Sequence, residues 1–88
     1  LPVSFFHYRD RDDFEVDIVL EQGNGAVAGV EVKAGATVNE SDLRGLRKLR
    51  DAAGRHFASG VVLYDGSATI AFGGALFAAP IRRLWESR

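Results

Sequence analysis

The sequence contains no cysteine among its 88 residues, which excludes disulfide bonds and thiolate metal sites. It has no apolar run near the roughly 20 residues that a membrane-spanning helix needs, and no signal peptide opens it. It also has little net charge, formally −1, whereas dedicated nucleic-acid-binding domains are usually clearly basic. These absences predict a cytoplasmic protein that does not act on membranes, and any affinity for nucleic acid has to come from local charge.

The composition that remains is that of a folded domain, with 47% hydrophobic and 26% charged residues. A chain of 88 residues is enough for one domain and not for two, so we predict a single domain over residues 1–88. The sequence begins at Leu1 and not at a methionine. We therefore expect that it is a fragment or a processed piece of a longer protein.

Two alternating segments, Glu15–Gln22 and Ala26–Lys33, predict a β-hairpin. The turn Gly23–Gly25 suits a three-residue loop with its last glycine in the left-handed conformation, and this loop pairs the residues directly before and after it. One face of the predicted hairpin is then wholly apolar, with the opposed pairs Val16–Val32, Ile18–Val30 and Leu20–Ala28. The other face carries Asp17 opposite Glu31 and Glu15 opposite Lys33.

The second half of the sequence predicts a helix over Glu40–Ala53, with Asn39 as its N-cap and Gly54 just after its end. Asp42 lies in the first turn, where an acid favours the helix N-terminus. The apolar run Gly60–Tyr64 predicts a strand parallel to the second hairpin strand, reached by a right-handed crossover. Further elements are expected at Phe5–Arg9, Thr69–Phe72 and Ala75–Ala78 as strands, and from Pro80 as a final helix.

The opposed acids suggest a site, because like charges directly across a sheet cost stability. Mg²⁺ is held by one or two carboxylates together with water or phosphate oxygens. Lys33 is two residues beyond Glu31 and on the same face, where its ammonium can bind a phosphate or orient a water. Asp17, Glu31 and Lys33 thus form a candidate catalytic site for Mg²⁺-dependent phosphodiester hydrolysis, with Asp17 and Glu31 as metal ligands. The alternative is that these are ordinary solvated strand residues, with Glu15 and Lys33 as an ion pair of little worth.

A basic stripe on the helix side away from its leucines is a candidate for contact with nucleic-acid phosphates. The stripe consists of Arg44, Arg47, Lys48 and Arg50. Arg44, Arg47 and Lys48 are its candidates for nucleic-acid contact, and Arg9 is a further candidate in the first strand. The alternative is a solvated face of an amphipathic helix.

Several motifs together resemble the C-terminal domain of unknown function found in predicted AAA-type ATPases of bacteria and archaea. They are Tyr8-Arg9-Asp10, Glu15-Val16-Asp17, Val30-Glu31-Val32-Lys33, Asp42-Leu43-Arg44-Gly45-Leu46 and the segment Pro80 to Trp85. That domain is similar to PD-(D/E)XK nucleases, which have a restriction-endonuclease-like α/β fold with a mixed central sheet and flanking helices. The resemblance implies that Asp17 is the first motif acid, Glu31 the second and Lys33 the motif lysine. Val16 replaces the motif proline, and the helix before the first strand is missing.

Three functions stay open at this point, and we favour a nuclease-like accessory domain of an ATPase, with its activity left open. The domain is a Mg²⁺-dependent nuclease, a catalytically silent nucleic-acid-binding module that serves an attached ATPase, or a protein-interaction module. A missing helix would expose apolar sheet surface, so we expect the isolated fragment to form a homodimer through Phe5, Phe6, Leu84 and Trp85.

Overall fold

The structure is a computed structural model in which residues 3–9 and 15–82 are described, with side chains from residue 17 to residue 82. The strands of this part are β1 Val3–Arg9, β2 Glu15–Gln22, β3 Val27–Val32, β4 Phe57–Tyr64, β5 Ile70–Gly73 and β6 Leu76–Pro80. Between β3 and β4 lie a 3₁₀ turn, Glu40–Leu43, the helix α1, Arg44–Ala53, and a second 3₁₀ turn, Gly54–His56. None of the helices in the described residues is long and apolar enough to cross a membrane.

The six strands form one mixed sheet in the order β1-β2-β3-β4-β6-β5. The neighbours β1, β2 and β3 are antiparallel, β3, β4 and β6 are parallel, and β5 is antiparallel to β6. The connection from β3 through α1 to β4 joins adjacent parallel strands, as the crossover prediction requires. The expected α/β class is confirmed.

The register of the β2–β3 hairpin is the one predicted from its turn. Ile18 pairs with Val30 and Leu20 with Ala28. Gly25 has a φ of 90° and donates its N–H to the carbonyl oxygen of Gln22 at 2.9 Å, which closes the loop. A residue with a side chain would be strained at this φ, so the turn and the register depend on the glycine.

The helix segment begins and ends where the sequence predicts, but its first turn is narrower than an α-helix. Asn39 caps the 3₁₀ turn, and Gly54, with a φ of 59°, ends α1. The leucines of this segment pack on the sheet and form the core. Its fully or nearly fully buried apolar residues are Val19, Leu43, Leu46, Leu49, Val62, Tyr64, Leu76 and Ala78.

The prediction that Pro80 begins a helix is wrong. Pro80 is the last residue of β6 and pairs with Tyr64, and the N–H of Ile81 still donates to the carbonyl oxygen of Tyr64 at 2.8 Å. This hydrogen bond completes the pairing of β6 with β4, and Ile81 and Arg82 then form a turn. Leu84 and Trp85 of the predicted helix lie outside the described residues.

The helix α1 covers only one face of the sheet. Side chains alternate along a strand, so the odd-numbered residues of β2 and β3, such as the buried Val19, face α1. The even-numbered residues face away, and among them Ile18 is 38% and Val32 45% exposed. The helix therefore lies on the face that carries the acids and leaves the wholly apolar face of the hairpin uncovered by any helix of the described residues.

Candidate functional site

The candidate site lies at the end of the β2–β3 hairpin that is far from its turn. Asp17 is near the start of β2, Glu31 is near the end of β3, and Lys33 directly follows β3. Glu31 is in register with Val62 of β4, a core residue with no exposure. One of its carboxylate oxygens, Oε1, is buried. The three predicted residues thus lie at one end of the hairpin, and the two acids are on its helix-covered face.

The carboxylate of Asp17 is hydrogen-bonded to the backbone of the neighbouring strand. Its Oδ2 atom accepts a hydrogen bond from the N–H of Val32 at 2.8 Å. The regular pairs of the ladder run as far as Ile18 and Val30. Beyond these pairs, the Val32 N–H donates to the Asp17 side chain and not to a backbone carbonyl. This hydrogen bond stabilises the end of the hairpin.

Lys33 is turned towards the helix. Its backbone N–H donates to the carbonyl oxygen of Leu63 at 2.8 Å, which fixes its main chain beside β4. Its Nζ atom lies 2.5 Å from Oδ2 of Asp42, and the two side chains are 26% and 21% exposed. This ion pair links the residue after β3 to the first turn of the helical segment.

Asp42 is the residue in contact with the candidate site that the sequence does not predict, because its position indicates only a place near a helix N-terminus. The same Oδ2 atom also accepts the N–H of Asn39 at 2.8 Å. The hydrogen bond from Asn39 is the main cause that holds the pKa of Asp42 below its ordinary value of 3.8, and the Lys33 ammonium lowers that pKa further. We call Lys33, Asp42 and Asn39 the clamp, because one ionised carboxylate holds both the end of β3 and the start of the helical segment.

The described residues offer few ligands for a metal ion. They contain no group of three or more His, Cys, Asp or Glu side chains that could hold one. Asp17 and Glu31 provide two carboxylates, and one oxygen of Asp17 already accepts the Val32 N–H. Two carboxylates suit Mg²⁺ only when water or substrate phosphate completes its six ligands. Asp17 and Glu31 alone therefore leave most of the ligands of such an ion to be supplied from outside the protein.

The basic stripe on α1 is partly neutralised. Arg44 is exposed. Nη1 of Arg47 is 2.5 Å from Oε1 of Glu40, and Lys48 is partly buried and makes interactions of its own. The side chain of Arg9 lies outside the described residues. The structure thus places three of the four candidates on one helix, and one of them already has an acidic partner.

A family model for a domain of unknown function, DUF4143, matches residues 1–84 of the chain. No curated protein and no solved structure matches it.

Proposed function

The chain belongs to the DUF4143 family, whose function is unknown, and we propose that it is a nuclease-like accessory domain of an ATPase whose acid–lysine cluster supports the fold and does not itself cleave nucleic acid.

The contact between Lys33 and Asp42 carries this proposal. A lysine that assists phosphodiester hydrolysis must direct its ammonium at the phosphate or the attacking water. Here the ammonium is 2.5 Å from a carboxylate that also caps the helical segment. Hydrogen bonds to charged groups are worth about 1.5–3 kcal/mol, so moving Lys33 to a substrate would cost a contact on which the fold depends.

The nuclease-like relationship is supported by the order of the elements. Asp17 is on the second strand, Glu31 on the third, and a crossover helix leads to a fourth strand parallel to the third. The positions of Asp17 on the second strand and Glu31 on the third are those that the resemblance to PD-(D/E)XK nucleases implies. The association with an ATPase rests on the resemblance of the motifs alone.

A second candidate function, Mg²⁺-dependent hydrolysis of nucleic acid, is favoured by the position of Asp17, Glu31 and Lys33 at one end of the hairpin. Asp17 and Glu31 would hold the ion, which would polarise the phosphate and lower the pKa of a bound water. Lys33 would have to leave Asp42 and turn to the phosphate. The Val32 N–H would keep Asp17 oriented through the bond that it already donates.

Calorimetric titration with Mg²⁺ and Mn²⁺ separates the two functions. We expect no saturable binding by the wild type, and no difference between Asp17→Asn and Asp65→Asn. The second variant is the matched control, because exposed Asp65 loses the same charge elsewhere on the surface. Saturable binding that Asp17→Asn removes and Asp65→Asn preserves would show that the acids are metal ligands.

Cleavage of single- and double-stranded DNA and of RNA completes the test. We expect no metal-dependent cleavage by the chain at any concentration at which it is folded. Cleavage that falls about a hundredfold or more in Lys33→Met, the scale of losing one transition-state partner, would establish the second function and overturn the first.

A further inference from the structure

The turn between β2 and β3 contains an asparagine followed by a glycine, the pair in which an asparagine side chain is most readily attacked by its own main chain. Asn24 is exposed in this turn, and Gly25 follows it with a φ of 90°. Glycine has no side chain that would screen its nitrogen from the Cγ atom of the preceding residue. The turn therefore places an electrophile and a nucleophile in adjacent residues.

The fold requires a glycine at position 25. A residue with a side chain would be strained at this positive φ, and a Cβ atom there would lie 3.3 Å from Nδ1 of His56. The register of the hairpin depends on the same glycine, because its N–H donates to the carbonyl oxygen of Gln22 at 2.9 Å. The accessible nitrogen is thus a consequence of the turn that aligns β2 with β3.

The side chain of Asn24 is held in the direction of this attack. Its Oδ1 atom accepts a hydrogen bond from the N–H of Ala26 at 3.0 Å. An asparagine bonded to the backbone two residues on is folded over the peptide between them, so Cγ is turned towards the Gly25 nitrogen. Attack on Cγ places negative charge on Oδ1, and a donor already directed at that oxygen stabilises the charge. The Ala26 N–H is therefore in the position of an oxyanion donor.

The hydrogen bond from Gly25 to Gln22 opposes the attack, because the Gly25 nitrogen has to give up its proton. One hydrogen bond between neutral groups changes a rate by about tenfold at most. Gly23 and Asn24 are exposed, so opening the turn does not require the core to open. Unfolding of a whole domain, in contrast, is disfavoured by about a thousandfold or more. The folded chain is thus protected by the turn bond and not by its overall stability.

We propose that Asn24 is a site of self-modification, which the folded chain converts to aspartate and isoaspartate. The Gly25 nitrogen forms a bond to Cγ of Asn24 while the bond from Cγ to Nδ2 breaks, and Nδ2 leaves as ammonia with the proton that the Gly25 nitrogen loses. Water then opens the five-membered imide, giving aspartate when the bond from Cγ to nitrogen breaks and isoaspartate when the main-chain bond breaks. Either product adds one negative charge to the formal net charge of −1. Isoaspartate also lengthens the main chain of the register-setting turn by one atom. The proposal does not depend on the role of the cluster around Lys33.

Peptide mass spectrometry of the wild type tests the site, with one sample kept folded at pH 7.4 and another unfolded in urea at the same pH. Trypsin cuts after Lys and Arg, so it releases the two asparagines of the sequence, Asn24 and Asn39, in separate peptides, 12–33 and 34–44. We expect peptide 12–33 of the folded sample to gain the mass difference between an amide and an acid, at a rate within about tenfold of the unfolded sample. Asn39 is the internal control, because Glu40 follows it in place of a glycine. A larger protection of the folded sample, or equal conversion of both peptides, would overturn the proposal.

Two variants test the chemistry of the step. In Asn24→Gln the side chain is one methylene longer and would have to close a six-membered ring, so we expect no mass change in peptide 12–33. A change at the wild-type rate would mean that another residue reacts. Asn24→Asp supplies the aspartate form of the peptide as a chromatographic standard. We expect the converted wild-type peptide to separate into two species of equal mass, of which one elutes with this standard. A single species would mean that water hydrolyses the amide without attack by Gly25, and the proposal would be wrong. Circular dichroism confirms that both variants are folded.

Discussion

The clamp makes a quantitative prediction for stability, tested by replacing Lys33 with methionine and Asp42 with alanine, singly and together. Exposed ion pairs contribute about 0.2–1 kcal/mol, and hydrogen bonds to charged groups about 1.5–3 kcal/mol. The Lys33 and Asp42 side chains are 26% and 21% exposed, between these two cases. We therefore expect Lys33→Met to cost about 1–1.5 kcal/mol of unfolding free energy. Asp42→Ala should cost about 2–2.5 kcal/mol, since it also removes the acceptor for the Asn39 N–H, which is worth about 1 kcal/mol.

The double variant should be no less stable than Asp42→Ala alone, because the pair has then already lost one member. Urea unfolding at pH 7 measures the cycle, and with a slope of about 1–3 kcal/mol per molar a loss of 1 kcal/mol moves the midpoint by roughly 0.3–1 M. Arg47→Met is the control, since its pair with Glu40 is more exposed, at 36% and 73%, and should cost less. If Lys33→Met lowered the unfolding free energy of the Asp42→Ala variant as much as that of the wild type, the two side chains would be energetically independent. That result would refute the clamp.

Two further predictions concern acid and salt. The pKa of Asp42 is lowered in the folded chain, so its contribution is complete above its unfolded pKa near 3.8 and is lost as the pH falls through the lower folded value. The difference in urea midpoint between wild type and Asp42→Asn should thus be constant from pH 7 to pH 5 and shrink below pH 4, and a difference unchanged at pH 2.5 would contradict the assignment. The salt prediction concerns DNA binding by the variant in which Arg44, Arg47 and Lys48 are replaced by alanine. Three lost phosphate contacts would reduce the slope of log affinity against log salt concentration by about 0.9 each, but we expect a smaller reduction because Arg47 must first leave Glu40. Fluorescence anisotropy from 50 to 200 mM salt measures the slope, and an unchanged slope would mean that the stripe is an ordinary solvated face.

The hairpin was predictable because its information is local. Alternation marks the two strands, and a three-residue turn that ends in a glycine fixes which residues are opposed. The pairs Ile18–Val30 and Leu20–Ala28 follow from these two facts and are confirmed. The limits of the helical segment from the 3₁₀ turn to the end of α1 are local in the same sense, since Asn39 marks its start and Gly54 its end.

The clamp was not predictable from spacing. Lys33 and Asp42 are nine residues apart, and their contact depends on how the loop between them returns to the sheet. The sequence places the lysine opposite Glu15, whose side chain lies outside the described residues, and the acid in a helix turn. Nothing local connects the two. The prediction of a helix from Pro80 was wrong for a related reason. Proline is compatible both with the first turn of a helix and with the end of a strand, and only its pairing with Tyr64 decides between them.

The alternation of side chains does not predict which face of the sheet is covered by the helix. A period of two shows that the faces differ, but not which of them the crossover helix will cover. The handedness of the β3–α1–β4 connection decides that, and it places α1 over the face that carries Asp17 and Glu31. The acids consequently lie beside backbone N–H groups and helix residues, and this explains why the Val32 N–H is bonded to Asp17 and the Lys33 ammonium to Asp42. The same handedness leaves the row of paired apolar residues from Ile18 on β2 to Phe77 on β6 on the uncovered side. The position of the cluster beneath the helix and the exposure of the apolar row therefore have one cause.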